Sequence, residues 1–150
     1  VNSRILSDAA DHIERYGFSP GEFHKTIFED AEGREVDPLN LTGAHRRRDS
    51  RQCPCCPRGA IAVVTGHVPF AVELFFDKPD DPAMRAAERA LVDYLIDVAE
   101  WMPRRARARS WLPDRAPELI EFWADEDGRT QDEVITTLRA AAEHERKAGR

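Results

Sequence analysis

No stretch of this chain approaches the roughly 18 consecutive apolar residues of a membrane span, so no membrane association is expected from the sequence. Lysine is nearly missing: only Lys25, Lys78 and Lys147 occur among 22 basic residues. Arginine and alanine abundance of this kind is what a GC-rich genome imposes, so runs of arginine carry less weight as evidence of nucleic-acid binding. The net charge of −6 lowers that weight further. No helix-turn-helix, zinc-finger or aromatic ribonucleoprotein motif accompanies the arginines, and sequence-specific nucleic-acid binding is not expected. The N-terminus lacks a basic start, an apolar core and a small-residue cleavage site, which points to the cytoplasm, where thiols stay reduced. Internal repeats and low-complexity linkers are also missing. A chain of 150 residues is then read as one domain spanning 1–150, with 144–150 as a frayed tail of charge, alanine and glycine.

What is present is concentrated in Cys53-Pro-Cys-Cys-Pro-Arg-Gly-Ala-Ile-Ala-Val-Val-Thr-Gly66, which holds all three cysteines at the mouth of the most apolar run. Cys56 before Pro57 reads as an N-cap and first helical position, because proline's missing N–H costs nothing there. Gly59 to Val64 carry almost no polar side chains, which predicts a buried central helix on which the other elements pack. Gly59, one turn in, predicts a backbone or ring in close contact.

Around it the periodicities predict a mainly α domain with a small β-hairpin, an α+β fold. Ile5, Leu6, Ala9, Ile13 and Tyr16 form one helical stripe, with Ser3 as its cap and Gly17 as its left-handed end. Thr26-Ile27-Phe28 and Arg34-Glu35-Val36 flank Asp30–Gly33 as a hairpin. Residues 37–52 show no period and read as a surface loop, and the apolar run from Val68 to Phe76 as a buried helix or irregular core segment. Asp81-Pro82 opens a helix predicted to reach Met102, stopped by Pro103. A short helix follows over Pro117–Trp123, and Thr130…Glu133 forms a capping box for the last one. Trp101, Trp111 and Trp123 are read as core anchors.

Three chemistries attach to these residues. Thiolate and imidazole suit tetrahedral zinc, which makes Cys53, Cys55 and Cys56 candidate ligands with His45, His24 or His67 as the fourth. Their Cys-x-Cys-Cys spacing departs from the usual Cys-x-x-Cys knuckle, so no metal and no other cofactor is expected. Cys56 at a helix N-terminus is the candidate catalytic nucleophile, since the macrodipole favours thiolate. Arg46, Arg47, Arg48, Arg51, Arg104 and Arg105 are candidate contacts for an acidic partner. The acidic run 125–127 lacks the repeat of a calcium loop.

Several short motifs resemble a family of small, uncharacterised actinobacterial domains. They are Tyr16-Gly-Phe-Ser-Pro-Gly21; Glu32-Gly33 with Val36-Asp37-Pro38; Cys56-Pro-Arg-Gly-Ala-Ile61; and Trp123-Ala-Asp125 followed by Gly128-Arg-Thr130 and Val134. Ser19 stands where that family often has a second cysteine, and Ala124 where it often has asparagine. The resemblance implies a fold and no activity. The reading is therefore a non-enzymatic binding or regulatory module of unknown partner, with a cysteine-dependent enzyme or zinc-stabilised domain at Cys53, Cys55 and Cys56 as the alternative.

Overall fold

The computed structural model describes residues 1–41, 43–69, 81–101 and 115–150. Helix α1 (Asn2–Tyr16) buries Leu6, Ala9, Ala10 and Ile13 along one stripe. Its N-cap is Val1 rather than Ser3, which lies inside the first turn without capping it. The start is set by a tertiary contact instead: Asn2 Nδ2 donates to Glu145 Oε2 at 3.0 Å. Gly17 ends the helix at φ 105° and ψ 163°, an extended positive-φ conformation open essentially to glycine, and not the left-handed helical one expected.

The expected hairpin is present as β1 (Phe28–Glu29) and β2 (Glu35–Val36), with Phe28 opposite Val36. Asp30 fixes its turn by accepting the amides of Glu32 and Arg34. The predicted loop over 37–52 is corrected. It contains 3₁₀ turns at Pro38–Asn40 and Ser50–Gln52 and a third strand, β3 (Arg46–Arg47), antiparallel to β1 in the order β2-β1-β3. Arg48 N–H extends that pairing by donating to the Ile27 carbonyl at 2.8 Å.

Helix α2 (Pro57–Val64) starts on Cys56 and Pro57 as the sequence predicts and buries Pro57 through Ala62. Helix α3 (Pro82–Asp97) starts on Asp81, whose carboxylate accepts the amides of Ala83 and Met84. It ends five residues short of the predicted Met102. Val98 and Ala99 N–H converge on the Tyr94 carbonyl, and Trp101 N–H turns back to the Leu95 carbonyl. The Trp101 indole is drawn aside to Glu126 Oε1 at 2.6 Å, and Glu100 takes a left-handed φ of 51°. Helices α4 (Ala116–Ala124) and α5 (Gln131–Lys147) complete the five helices of the described residues, and α5 opens on the predicted Thr130–Glu133 capping box.

Helix α1 rather than α2 is the hub. It packs most extensively on α5 and also on α2 and α3, whereas α2 reaches α1, α3 and α4. Leu6, Ile13, Ile61, Leu91, Leu95, Ile120, Trp123, Val134 and Leu138 are sealed at the centre. The apolar run over 70–76, the turn before Asp81, the Pro103 stop, Arg104 to Arg109 and the Trp111 anchor lie outside the described residues. No described helix is long and apolar enough to cross a membrane.

Candidate functional site

Three segments meet at the mouth of α2. Residues 53–56 run extended between the chain leaving α1 and the chain approaching β1. Cys55 N–H donates to the Gly17 carbonyl at 3.2 Å, and Ser19 N–H returns to the Cys55 carbonyl at 3.1 Å. On the other side Lys25 N–H donates to the Pro54 carbonyl and Cys56 N–H to the Glu22 carbonyl. Cys55 is thus bridged to Phe18 on one flank and His24 on the other. Gly59 permits this closure: a Cβ there would collide with the Phe23 carbonyl oxygen and stand 2.9 Å from Cys55 Cβ.

The thiols are all free and all buried. Cys53 Sγ donates to the Asp49 carbonyl at 3.4 Å. Burial raises the pKa of Cys53 against the opposing pull of Arg48, and raises that of Cys55 well above the ordinary thiol value. Burial also pushes Cys56 up to about 11, outweighing the nearby Gly59 and Arg58 amides and the Arg58 guanidinium. In all three, burial favours the neutral thiol, opposite in sign to the activation that a helix N-terminus alone would supply. Among the described residues no set of three or more His, Cys, Asp or Glu side chains is arranged to hold a metal ion. His67 pairs with Asp81 at 2.8 Å beyond the far end of α2, and His45 sits on the Phe28 ring with Nδ1 against the Gly43 carbonyl. His24 is beside Cys55 through the backbone, and the histidine that faces the Cys53 backbone is His12, which sequence reasoning did not single out.

Sequence reasoning also missed the charged network below Cys56. Arg58, in the first turn of α2, is only 8% exposed and Glu88 on α3 only 3%. Arg58 Nε donates to Glu88 Oε1 at 2.8 Å, Nη1 donates to Glu121 Oε1 on α4, and the guanidinium lies 5.2 Å from the Phe23 ring centre. Burial alone would lower the Arg58 pKa, but Glu88 and Glu121 outweigh it. A signal did exist: an arginine in the most apolar helix requires a carboxylate somewhere. Which one is not readable locally, since the partners lie 30 and 63 residues away.

The candidate partner arginines divide. Glu29 Oε1 accepts from Arg48 at 2.5 Å, and Arg46 bridges Glu29 Oε2 at 3.3 Å. Arg47 covers the Phe28 ring, and Arg51 forms a forked pair with Asp49. Arg104 and Arg105 lie outside the described residues. Residues 23–52 carry six basic side chains (one lysine, five arginines) and six carboxylates, so the sheet is not a one-signed surface.

The motif residues after α1 and those at the α4–α5 junction meet at the same corner. Gly21 N–H donates to Asp125 Oδ1 at 2.6 Å and Phe18 N–H to Gln131 Oε1 at 3.0 Å, tying the turn after α1 to the α4–α5 junction. Ser19 Oγ donates to Glu22 Oε2 at 2.7 Å. Arg129 lies over the Trp123 ring and donates to the Trp123 carbonyl, while Thr130 caps α5. Each of these contacts holds segments together. In comparison with known proteins, residues 2–144 match the model of a family of unknown function (DUF6197). No curated protein and no solved structure matches the chain.

Proposed function

The chain belongs to DUF6197, a family of unknown function, and from the sealed cysteine corner we propose that it is a small non-enzymatic binding or regulatory module. The observation that carries this reading is Cys56: the one residue placed by the sequence as a nucleophile is buried, uncharged at neutral pH and used as a helix start. Three free, sealed thiols support a reducing, cytoplasmic setting. The partner we propose is a protein with an acidic surface, met by exposed arginines. Arg46 and Arg47 stand on β3, an edge strand, and Arg51 beside it; Arg104 and Arg105 join them on sequence grounds.

Alkylation of the native protein by iodoacetamide at neutral pH, followed by peptide mass analysis, tests the reading at its base. Cys53, Cys55 and Cys56 are expected to react far more slowly than a free thiol and to reach the free rate only in denaturant. Fast, selective modification of native Cys56 would favour the cysteine-dependent enzyme. Stoichiometric zinc in freshly purified protein, with all three thiols protected until a chelator is added, would favour the zinc-stabilised domain.

A further inference from the structure

The α4–α5 junction holds a dipeptide that the contacts described above leave alone. Asp127–Gly128 is the one aspartate-glycine step of the sequence, and no asparagine precedes a glycine. Both residues are exposed. Among the described residues Asp127 makes no hydrogen bond or ion pair, and no group accepts the Gly128 N–H. Gly128 stands at φ 82°, and a Cβ there would meet nothing within 4 Å. The carboxyl and the amide that follows it can therefore approach each other, with no side chain on the glycine to obstruct the way.

The other aspartates and asparagines that precede a small residue are held. Asp49, before Ser50, accepts the Arg51 amide at 2.9 Å and forms a forked pair with its guanidinium, and Ser50 is buried. Asp30, before Ala31, accepts the amides of Glu32 and Arg34. Asn2–Ser3 and Asp8–Ala9 lie within α1, where Asn2 Nδ2 donates to Glu145 and Asp8 pairs with Arg4. A side chain held in this way must give up those bonds, and helical backbone must unwind, before the carboxyl can turn onto the next amide. Neither barrier stands at Asp127.

We infer that Asp127 is a modification site at which the backbone rearranges without an enzyme, through a cyclic imide to isoaspartate. The Gly128 nitrogen attacks Cγ of the protonated Asp127 side chain. The new N–Cγ bond forms, and the carboxyl hydroxyl leaves with the amide proton as one water. Water then opens the imide at either carbonyl. Opening at Cγ restores aspartate; opening at the main-chain carbonyl leaves the chain running through Cγ and frees that main-chain carbon as a carboxylate. Atoms and electrons balance with water alone, and the final mass is unchanged. The product carries one extra backbone carbon inside the turn that Arg129 N–H closes on the Glu126 carbonyl at 3.0 Å. The same turn places Glu126 to hold the Trp101 indole and stands directly before the Thr130 cap of α5. Rearrangement opens that turn, and the new carboxylate is the group that an isoaspartyl methyltransferase esterifies. No thiol takes part, so the inference stands apart from the reading of the cysteine corner.

Ageing the full chain for weeks at neutral pH, folded and in urea, tests it. The readout is methyl transfer from labelled S-adenosylmethionine by an isoaspartyl methyltransferase, with electron-transfer fragmentation to locate the label. Methyl acceptance by the folded chain is expected to rise steadily and to map to Asp127. Asp127→Glu, which would need a larger ring, should remove most of it, and Asp127→Asn, with ammonia as the leaving group, should raise the rate severalfold. Melting curves establish that both variants are folded. The rearranged fraction should melt below the fresh protein; an equal melting temperature would overturn the opening of the turn. Acceptance confined to the urea-treated chain would overturn the inference, because the fold would then protect the site. So would a folded-chain signal that Asp127→Glu leaves unchanged or that Asp49 shares equally.

Discussion

Gly59 shows how much one missing atom can decide. The Phe23 carbonyl and the Cys55 side chain occupy the space that any Cβ at this position would need. Neither is a flexible side-chain end, because Phe23 stands between the Glu22 and Lys25 bonds to the cysteine segment. In an open helix Gly59→Ala would stabilise by up to about 1 kcal/mol through helix propensity. Here the overlap reverses the sign, and a loss of about 1–3 kcal/mol is expected from overpacking. Urea denaturation measures it; a midpoint equal to or above the wild type would show that the 22–25 segment moves aside freely. The sequence already carried this contact, since a glycine inside an apolar helix asks for a reason. It did not carry the identity of the neighbour, which comes from a segment more than thirty residues earlier.

At the scale of elements, local chemistry was legible and long-range chemistry was not. Asp81-Pro82, Cys56-Pro57 and Thr130…Glu133 each announce a helix start by groups within four residues of one another, and all three are helix starts in the structure. β3 is two residues long with exposed arginine side chains, so it has no alternation to read; it exists because β1 and Glu29 are there to receive it. The end of α3 was misplaced for the same reason, as Trp101 is held by Glu126 from another element. The Arg58 network is the largest such omission, and its energetics are testable. Arg58→Met takes the guanidinium away from a carboxylate only 3% exposed and is expected to cost about 3–5 kcal/mol, the range for breaking a buried pair. Adding Glu88→Met removes the buried carboxylate as well and should recover part of that loss, because Glu121 is 45% exposed by its side chain and can remain hydrated. Denaturation of the two single variants and the double variant closes the cycle. Additive losses would mean that Arg58 and Glu88 do not act as a pair.

For the whole molecule, the shifted groups set how stability follows pH. His12 is 8% exposed, and its pKa is lowered below 6.5, first by burial and then by Arg15. The unfolded chain therefore takes up a proton at this site before the folded chain does. Stability contributed by neutral His12 is present above about pH 6.5 and is lost as the pH falls toward the lowered folded value. The carboxylates of Glu29, Asp30, Asp49, Asp81, Glu133 and Glu143 are also lowered, chiefly by hydrogen bonds from Arg48, Arg34, Arg51, His67, Thr130 and Arg146 respectively. Their contribution is present above the ordinary carboxylate range and is lost below about pH 4; raised Asp93 works weakly the other way. The melting temperature is expected to be level near neutrality, to decline from about pH 6.5 and to fall more steeply below about pH 4. His12→Gln should flatten the first decline and leave the second. A first decline unchanged in that variant would assign it to another group.

The packing of α1 on α5 has a bearing on how the protein comes to be made. A ribosome delivers α1 well before its chief partner: Tyr16 and Gln131 are 131 − 16 = 115 positions apart, roughly 6–23 s of synthesis at about 5–20 residues per second. Through that interval α1 has α2 to pack against and, later, α3, but the face that α5 covers waits for α5. The turn after α1 waits equally for Asp125 and Gln131. The nascent chain thus holds this part of its core open until α5 is translated, and its safe passage depends on whatever meets that apolar stripe before α5 arrives.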